Sequence, residues 1–246
     1  MVEFLIAGVQ RGGTTALHSF LSRHRGLYLP ACKELHFFDD ESLDWRRPDY
    51  SRFHSHFSDR QTGQIAGEAT PIYTYWEPSA ARIHQYDPAM KLIVLLRNPV
   101  ERAYSHWAME FGRGTETLGF AAAIRGGRSR GFRSRVFSYV ERGFYSKEID
   151  RLTSLFPPVQ LLFLRTEDLR ERHRATLDVV CDFIGVERFT EYPPAACVLA
   201  QESVNVPPPT TIDLAYLRDL YHSDTERAQT QTGLDLAAWL EQVPGT

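Results

Sequence analysis

The sequence predicts an α/β fold in which a mostly parallel central sheet is flanked by helices. Three observations carry that expectation. Short apolar runs recur along the chain, apolar residues at helical spacing lie between and after them, and 246 residues can bury a substantial core. Four runs read as buried strands, Phe4–Val9, Gln64–Glu68, Lys91–Leu96 and Val159–Leu164, because each is short and bounded by turn or helix signals. Strands that alternate with helices favour parallel pairing, since a parallel neighbour requires a crossover connection.

Taken in order, the first strand runs into GVQRGGTTAL, and helical spacing starts near Thr14 with Leu17, Phe20 and Leu21 on one face. The strand Lys91–Leu96 turns at Asn98-Pro99 into a helix through Trp107; proline suits a first helical turn, where its missing N–H costs nothing. The last strand precedes a helix marked by Leu177, Val180, Cys181 and Ile184, which Gly185 should end. The segment GGRSRGFRSR, Gly126–Arg135, reads as a mobile surface stretch. In VPPPTT, Val206–Thr211, three prolines exclude helix and demand an extended loop. No repeat or boundary signal is evident, so residues 1–246 read as one domain.

Bulk composition narrows the class. Apolar residues at 43% and charged residues at 24% are ordinary for a soluble globular chain. A net charge of -3 argues against a broad basic face for nucleic acid, while leaving room for a local basic pocket. The three cysteines, Cys32, Cys181 and Cys197, form no CxxC pair, so neither a disulfide framework nor a zinc knuckle is indicated. No basic leader is present and no run approaches the roughly 18 apolar residues that span a bilayer. The expected setting is a reduced cytoplasm, with no transmembrane segment.

Chemistry enters at the first loop. Gly8, Gly12 and Gly13 lie between a strand and a helix, a P-loop-like arrangement that points backbone N–H groups and the positive helix end at an anion. Thr14 and Thr15 add hydroxyl donors, and Arg11 adds a guanidinium able to bridge two oxygens. A Walker loop would place lysine after the last glycine, reaching the terminal phosphates. Here the pair after Gly13 is Thr-Thr, which disfavours an ATPase or kinase. A second constellation follows: Arg97 stands at the carboxyl end of a strand, where open α/β sheets bind ligands, and Ser105 lies about two helical turns on. The plainer reading pairs Arg97 with Glu101 and packs Ser105 on its helix.

Together GVQRGGTTAL, KELHFF and LLRNPVERAYSHW resemble the sulfotransferases that use 3'-phosphoadenosine 5'-phosphosulfate, above all the branch with heparan sulfate sulfotransferases and bacterial relatives. Ordered matches run from Phe4 to Trp107, with weaker agreement through Arg142–Leu152 and Val159–Gly185. The resemblance implies that Arg11, Gly12, Gly13, Thr14 and Thr15 cradle the 5'-phosphosulfate. It implies that Arg97 and Ser105 hold the 3'-phosphate, with Tyr145 near the nucleotide. Many relatives carry lysine where this chain has Arg11. Arginine keeps the charge but stays protonated throughout the working range, so charge stabilisation survives there and proton donation does not.

Sulfuryl transfer also needs the acceptor's proton removed as the new bond forms. The resemblance assigns that task to Glu34, with His36 assisting. If ACKELHFFDD is extended, residues 34 and 36 share a side, and Phe37 and Phe38 would lower local polarity and raise the Glu34 pKa. Heparan sulfate 3-O-sulfotransferases often carry lysine in an E-K-[ST]-[PA]-x-Y stretch; here GEATPIY has Ala69 instead, with Glu68, Thr70 and Tyr73 retained. Lys33 or His36 are the candidate replacements for that cation. His54 and His56 lack a third ligand at useful spacing and read as surface residues, and sulfuryl transfer needs no metal. The expected activity is transfer from the phosphosulfate donor, leaving 3',5'-bisphosphoadenosine, to a hydroxyl (less readily an amine) of a small natural product, glycolipid or glycan. A P-loop nucleotide kinase and a non-catalytic nucleotide-binding module are the alternatives.

Overall fold

The computed structural model describes residues 1–132, 134–195 and 206–241, so Arg133 and Cys197 lie outside the described residues. The strands in chain order are β1 Phe4–Gly8, β2 Leu27–Tyr28, β3 Ile65–Ala69, β4 Lys91–Leu96 and β5 Leu161–Arg165. The helices are α1 Thr14–Leu21, α2 Ser51–Ser55, α3 Ser79–Tyr86, α4 Pro99–Gly112, α5 Phe120–Ile124, α6 Tyr145–Thr153, α7 Thr166–Glu171, α8 His173–Ile184, α9 Thr211–Thr232 and α10 Ala237–Leu240. They group into two compact units, one drawn from 1–96 and 150–199, the other from 97–149 and 200–246.

The first unit holds the whole sheet. Its strands lie in the order β2-β3-β1-β4-β5, and every pair is parallel. Phe4, Ile6, Ile93, Leu95 and Leu164 bury one face against Leu17, Phe20 and Leu21 of α1 and Leu177, Val180, Cys181 and Ile184 of α8. Successive strand residues point to opposite faces, and Leu5, Leu92, Val94 and Leu96 are just as buried, so both faces are covered. Because β1 pairs with β3 on one side and β4 on the other, the chain reverses its winding direction there. The carboxyl end of β1 is therefore a topological switch point, the edge where such sheets take ligands.

Local chemistry explains the departures from the expected bounds. β5 starts at Leu161 because Pro158–Gln160 forms a 3-10 turn just before it. β2 is only two residues long, too short for any periodicity to announce it. Gly185 ends α8 in the left-handed conformation, as its position predicts.

In the second unit Asn98 caps α4 by accepting from Val100 N–H at 3.0 Å, with Pro99 in the first turn. Its core joins Val100, Ala103 and Trp107 to Phe120, Ile124, Tyr139, Leu217 and Tyr221. The proline stretch lasts only to Thr210, whose hydroxyl forms a capping box with Asp213 and opens the 22-residue α9. Part of the arginine-rich stretch expected to be mobile carries local structure, and its Arg133 lies outside the described residues. Arg128–Gly131 forms a 3-10 helix, with Arg128 on Glu141 at 2.6 Å and Arg130 on the fully buried Glu116 carboxylate at 2.8 Å. Among the described residues, no helix is long and apolar enough to cross a membrane.

Candidate active site

The loop after β1 is shaped by close backbone approach. A Cβ on Gly12 would sit 2.4 Å from the Leu95 carbonyl oxygen and 2.9 Å from that of Val9, so only glycine fits. Val9 N–H donates to the Leu95 carbonyl at 3.0 Å and Gly12 N–H to the Val9 carbonyl at 2.9 Å, which folds the loop over the end of β4. The Thr166 hydroxyl, bonding the Gly12 carbonyl at 2.7 Å and the Leu96 carbonyl at 3.0 Å, fixes it from β5's side. Gly13 is left-handed at φ 90°, and no side chain caps the helix it opens. The first-turn N–H groups of α1 thus meet no acid of their own turn, an arrangement suited to an external anion. Arg11 is half-buried with φ 68°, Thr14 is buried and Thr15 exposed.

The stretch from Lys33 to Asp39 gathers charge. The Glu34 carboxylate takes Lys33 Nζ at 2.6 Å on one oxygen and faces His36 Nε2 at 3.6 Å on the other. The opposite ring nitrogen of His36 lies 3.0 Å from the wholly buried Asp39 carboxylate. Two cations thus meet two carboxylates. Burial pushes the Glu34 pKa up, but the contacts with His36 and Lys33 outweigh it and bring it down to about 2. Asp39, then Glu34, raise His36 to about 9, so its ring is protonated at neutral pH.

Two sequence expectations need correction here. The segment is not extended: Glu34 and His36 are both left-handed, with φ of 65° and 52°. Their side chains meet because Glu34 N–H is tied to the Ala69 carbonyl at 3.1 Å, not because a strand alternates. Nor does the carboxylate's pKa end above its ordinary value, since the His36 and Lys33 contacts outweigh burial. Phe37 and Phe38 turn into a buried aromatic cluster with Trp45, Phe53 and Tyr73, leaving Glu34 among charges. Asp39 was not singled out from sequence; its signal is its place three residues beyond His36. Both candidates for the missing cation, Lys33 and His36, contact Glu34.

In the second unit Arg97 does pair with Glu101, at 3.1 Å, but that glutamate is 60% exposed, so solvent weakens the pair. Ser105 is buried on α4. Tyr145 is buried and donates its hydroxyl to the Arg97 carbonyl at 2.7 Å, so it supports the backbone that carries Arg97. His54 lies on helix α2 and bonds the Tyr86 hydroxyl at 2.9 Å. Among the described residues, no group of three or more His, Cys, Asp or Glu is placed to hold a metal ion.

Known proteins supply an independent reading. The family model described as the sulfotransferase domain matches residues 2–193. Heparan sulfate glucosamine 3-O-sulfotransferase 6 of Mus musculus is 36% identical over 190 residues, covering 76% of this chain and 53% of the mouse protein. Human heparan sulfate glucosamine 3-O-sulfotransferase 3B1 is 33% identical over 189 residues, covering 76% and 46%. The chain therefore spans about half the length of these relatives. In structure, a sulfotransferase from Alicyclobacillus acidocaldarius superposes with a TM-score of 0.83 at 24% identity, covering 98% of this chain and 99% of that one. Mouse sulfotransferase SULT7A1, solved in complex with PAP, gives 0.52 at 16% identity, covering 76% and 60%.

Proposed function

The chain belongs to the sulfotransferase family, and from that premise we propose that it moves a sulfuryl group from 3'-phosphoadenosine 5'-phosphosulfate to an acceptor hydroxyl, with both units serving as one sulfotransferase domain. The observation that carries this reading is the Glu34 carboxylate, held between Lys33 and His36 in the same unit as an uncapped, glycine-built anion loop. The loop fits such a donor: at Gly12 the chain leaves no room for a side chain, and the first turn of α1 has no cap of its own. When bound, the donor supplies the sulfuryl group.

Arg11, Gly12, Gly13, Thr14 and Thr15 would hold the phosphosulfate, and Arg97 and Ser105 the 3'-phosphate. Arg11 contributes charge and no proton. Glu34 takes the proton of the acceptor hydroxyl. It is ionised at any working pH, yet it is a weak base while Lys33 and His36 both press on it. A Lys33 drawn off toward anionic oxygens leaves a stronger base behind. His36, protonated and fixed by Asp39, orients that carboxylate and is not itself a base in this state.

The acceptor is a small natural product, glycolipid or short glycan. A long anionic polysaccharide would need a basic trough, and three arginines in or beside the arginine-rich stretch are already committed to carboxylates. Arg125 meets Asp213 at 2.5 Å, Arg128 meets Glu141 and Arg130 meets Glu116. Titration calorimetry with 3',5'-bisphosphoadenosine, AMP, ADP and ATP tests the donor class without knowledge of the acceptor. The bisphosphate should bind tightest, and Arg97→Ala should remove most of its advantage over AMP, about 1.5–3 kcal/mol for a charged hydrogen bond. Equal binding of bisphosphate and AMP to the unaltered protein sinks the reading; preference for ATP with magnesium moves it to a kinase.

A further inference from the structure

Beneath the Glu34–His36 pair lies a carboxylate the proposed chemistry does not use. Glu68, on β3, is 1% exposed. Its Oε2 accepts from the Thr70 hydroxyl at 2.9 Å. That hydroxyl in turn faces His36 N–H at 3.4 Å, and the neighbouring Tyr73 hydroxyl accepts from Phe37 N–H at 3.2 Å. With Glu34 N–H on the Ala69 carbonyl at 3.1 Å, three amides of residues 34–37 are laced onto one short stretch, EATPIY. Those bonds coincide with the two left-handed residues, Glu34 and His36. Non-glycine residues hold such a conformation only where their surroundings over-determine it.

We propose that Glu68 is a positioning residue: through the Thr70 hydroxyl, beside the Tyr73 hydroxyl that takes the next amide, it locks the backbone of residues 34–37 in the turn that sets the Glu34 carboxylate against His36. The assignment builds on Glu34 as the group that takes the acceptor's proton, while the geometry it explains exists without any substrate. Each hydroxyl has one proton to give and lone pairs to accept with. A carboxylate below Thr70 turns that proton downward and leaves the lone pairs for the amide above. A hydrocarbon at position 68 would free the hydroxyl to turn and would loosen the amide's partner. The Tyr73 hydroxyl is pushed well above its ordinary value by burial and by Glu68 beside it, so it stays protonated and keeps its hydrogen-bonding role. Burial also raises Glu68 itself, to about 7, and Oε2 is the oxygen that partners Thr70, leaving Oε1 able to carry a proton without breaking that bond. The proposal explains why KELHFF and EATPIY occur as a pair in this chain. One supplies the reacting groups and the other their seat.

The experiment follows the His36 ring by NMR titration in the full-length protein, the signal being identified by its loss in His36→Asn. Thr70→Val and Tyr73→Phe, singly and together, change no charge, so a shift of His36 reports geometry. In the unaltered chain the ring should titrate near 9. In the double variant its midpoint should fall by about one unit or more toward the ordinary value near 6.5. Glu68→Leu should behave like the double variant, and Glu68→Gln, which keeps an acceptor for Thr70, should recover most of the loss. Turnover should fall about 10–100-fold in the double variant, as expected for a misplaced reacting group, with affinity for 3',5'-bisphosphoadenosine unchanged. Thr70→Val alone keeps the test open if the double variant is unstable. Unchanged His36 titration in Thr70→Val, Tyr73→Phe and Glu68→Leu overturns the proposal. Failure of the unaltered chain to bind the bisphosphate would instead remove the functional reading, leaving the titration to decide the positioning role.

Discussion

The anion loop after β1 and the charged stretch from Lys33 to Asp39 stand in the same unit and are built on opposite plans. The loop is made by what is missing. Gly12 has no side chain, so carbonyls of Leu95 and Val9 occupy the space where one would be, and α1 begins without a side-chain cap. The charged stretch is made by what is present: two cations and two carboxylates in mutual contact, on a backbone with Glu34 and His36 forced left-handed. A backbone-built site tolerates almost no added atom. A side-chain-built site tolerates loss of charge without collapse, because its frame is held by bonds from β3 and the residues after it. The two regions should therefore fail differently when altered.

The largest effect is expected at Glu34. Glu34→Gln keeps size and hydrogen bonding but cannot take up a proton, so turnover should fall by roughly 10²–10⁴. Affinity for 3',5'-bisphosphoadenosine should stay near normal, because the loop is untouched. Steady-state kinetics beside calorimetry separate these outcomes. An unchanged rate in Glu34→Gln removes Glu34 as the base and breaks the comparison on its catalytic side.

Gly12→Ala should do the reverse. The added methyl falls 2.4 Å from the Leu95 carbonyl oxygen, which is backbone and cannot swing aside. Overpacking of this kind costs about 1–3 kcal/mol, and the strain lands on the loop itself. Nucleotide affinity should drop by about 5–150-fold if that strain is relieved on binding geometry alone, and thermal denaturation should report the remainder as lost stability. Normal affinity and normal melting in Gly12→Ala would show that the loop is not backbone-built.

What could be read from the sequence follows the same division. Glycines between an apolar strand and a helix declare close backbone approach, so the loop, α1 and β1 were legible, and Gly185 and Asn98-Pro99 marked real helix ends. The parallel sheet was legible because four of its strands are apolar runs. The conformation of the charged stretch was not. Its left-handed residues are glutamate and histidine, and the amides that fix them pair with partners more than thirty residues away. Local pattern carries no trace of such bonds. Helix α9 was missed for another reason: its buried face mixes Asp213, Leu217, Tyr221, Thr225 and Ala228, so helical spacing was present without an apolar signal. The arginines at 128 and 130 looked solvated because their partners, Glu141 and Glu116, are distant in sequence.

The smallest effect sharpens the comparison most, because only the charged stretch should show it. Glu34 lies at about 2 in the folded protein against an ordinary 4.5, so its stabilisation is complete above 4.5 and is lost as pH falls through about 2. His36 lies at about 9 against 6.5, so its stabilisation is complete below 6.5 and is lost as pH rises through about 9. The pair should therefore stabilise the fold most between about pH 4.5 and 6.5. Both side chains are more than a third exposed, at 38% and 48%, and screening by water limits the gain. About 1 kcal/mol or less is expected, a few degrees in Tm at most for a chain of this size. The measurement is the difference in Tm between the unaltered protein and His36→Asn, taken at matched pH so that other titrating groups cancel. It should be constant from about pH 5 to 6.5, shrink through the next two to three units and vanish above about 9.5. The same series run on Gly12→Ala should give a difference that does not follow this curve, since no titrating group is altered there. A His36→Asn difference equal at pH 6 and pH 10 would show that His36 carries no charge-dependent contact in the folded protein.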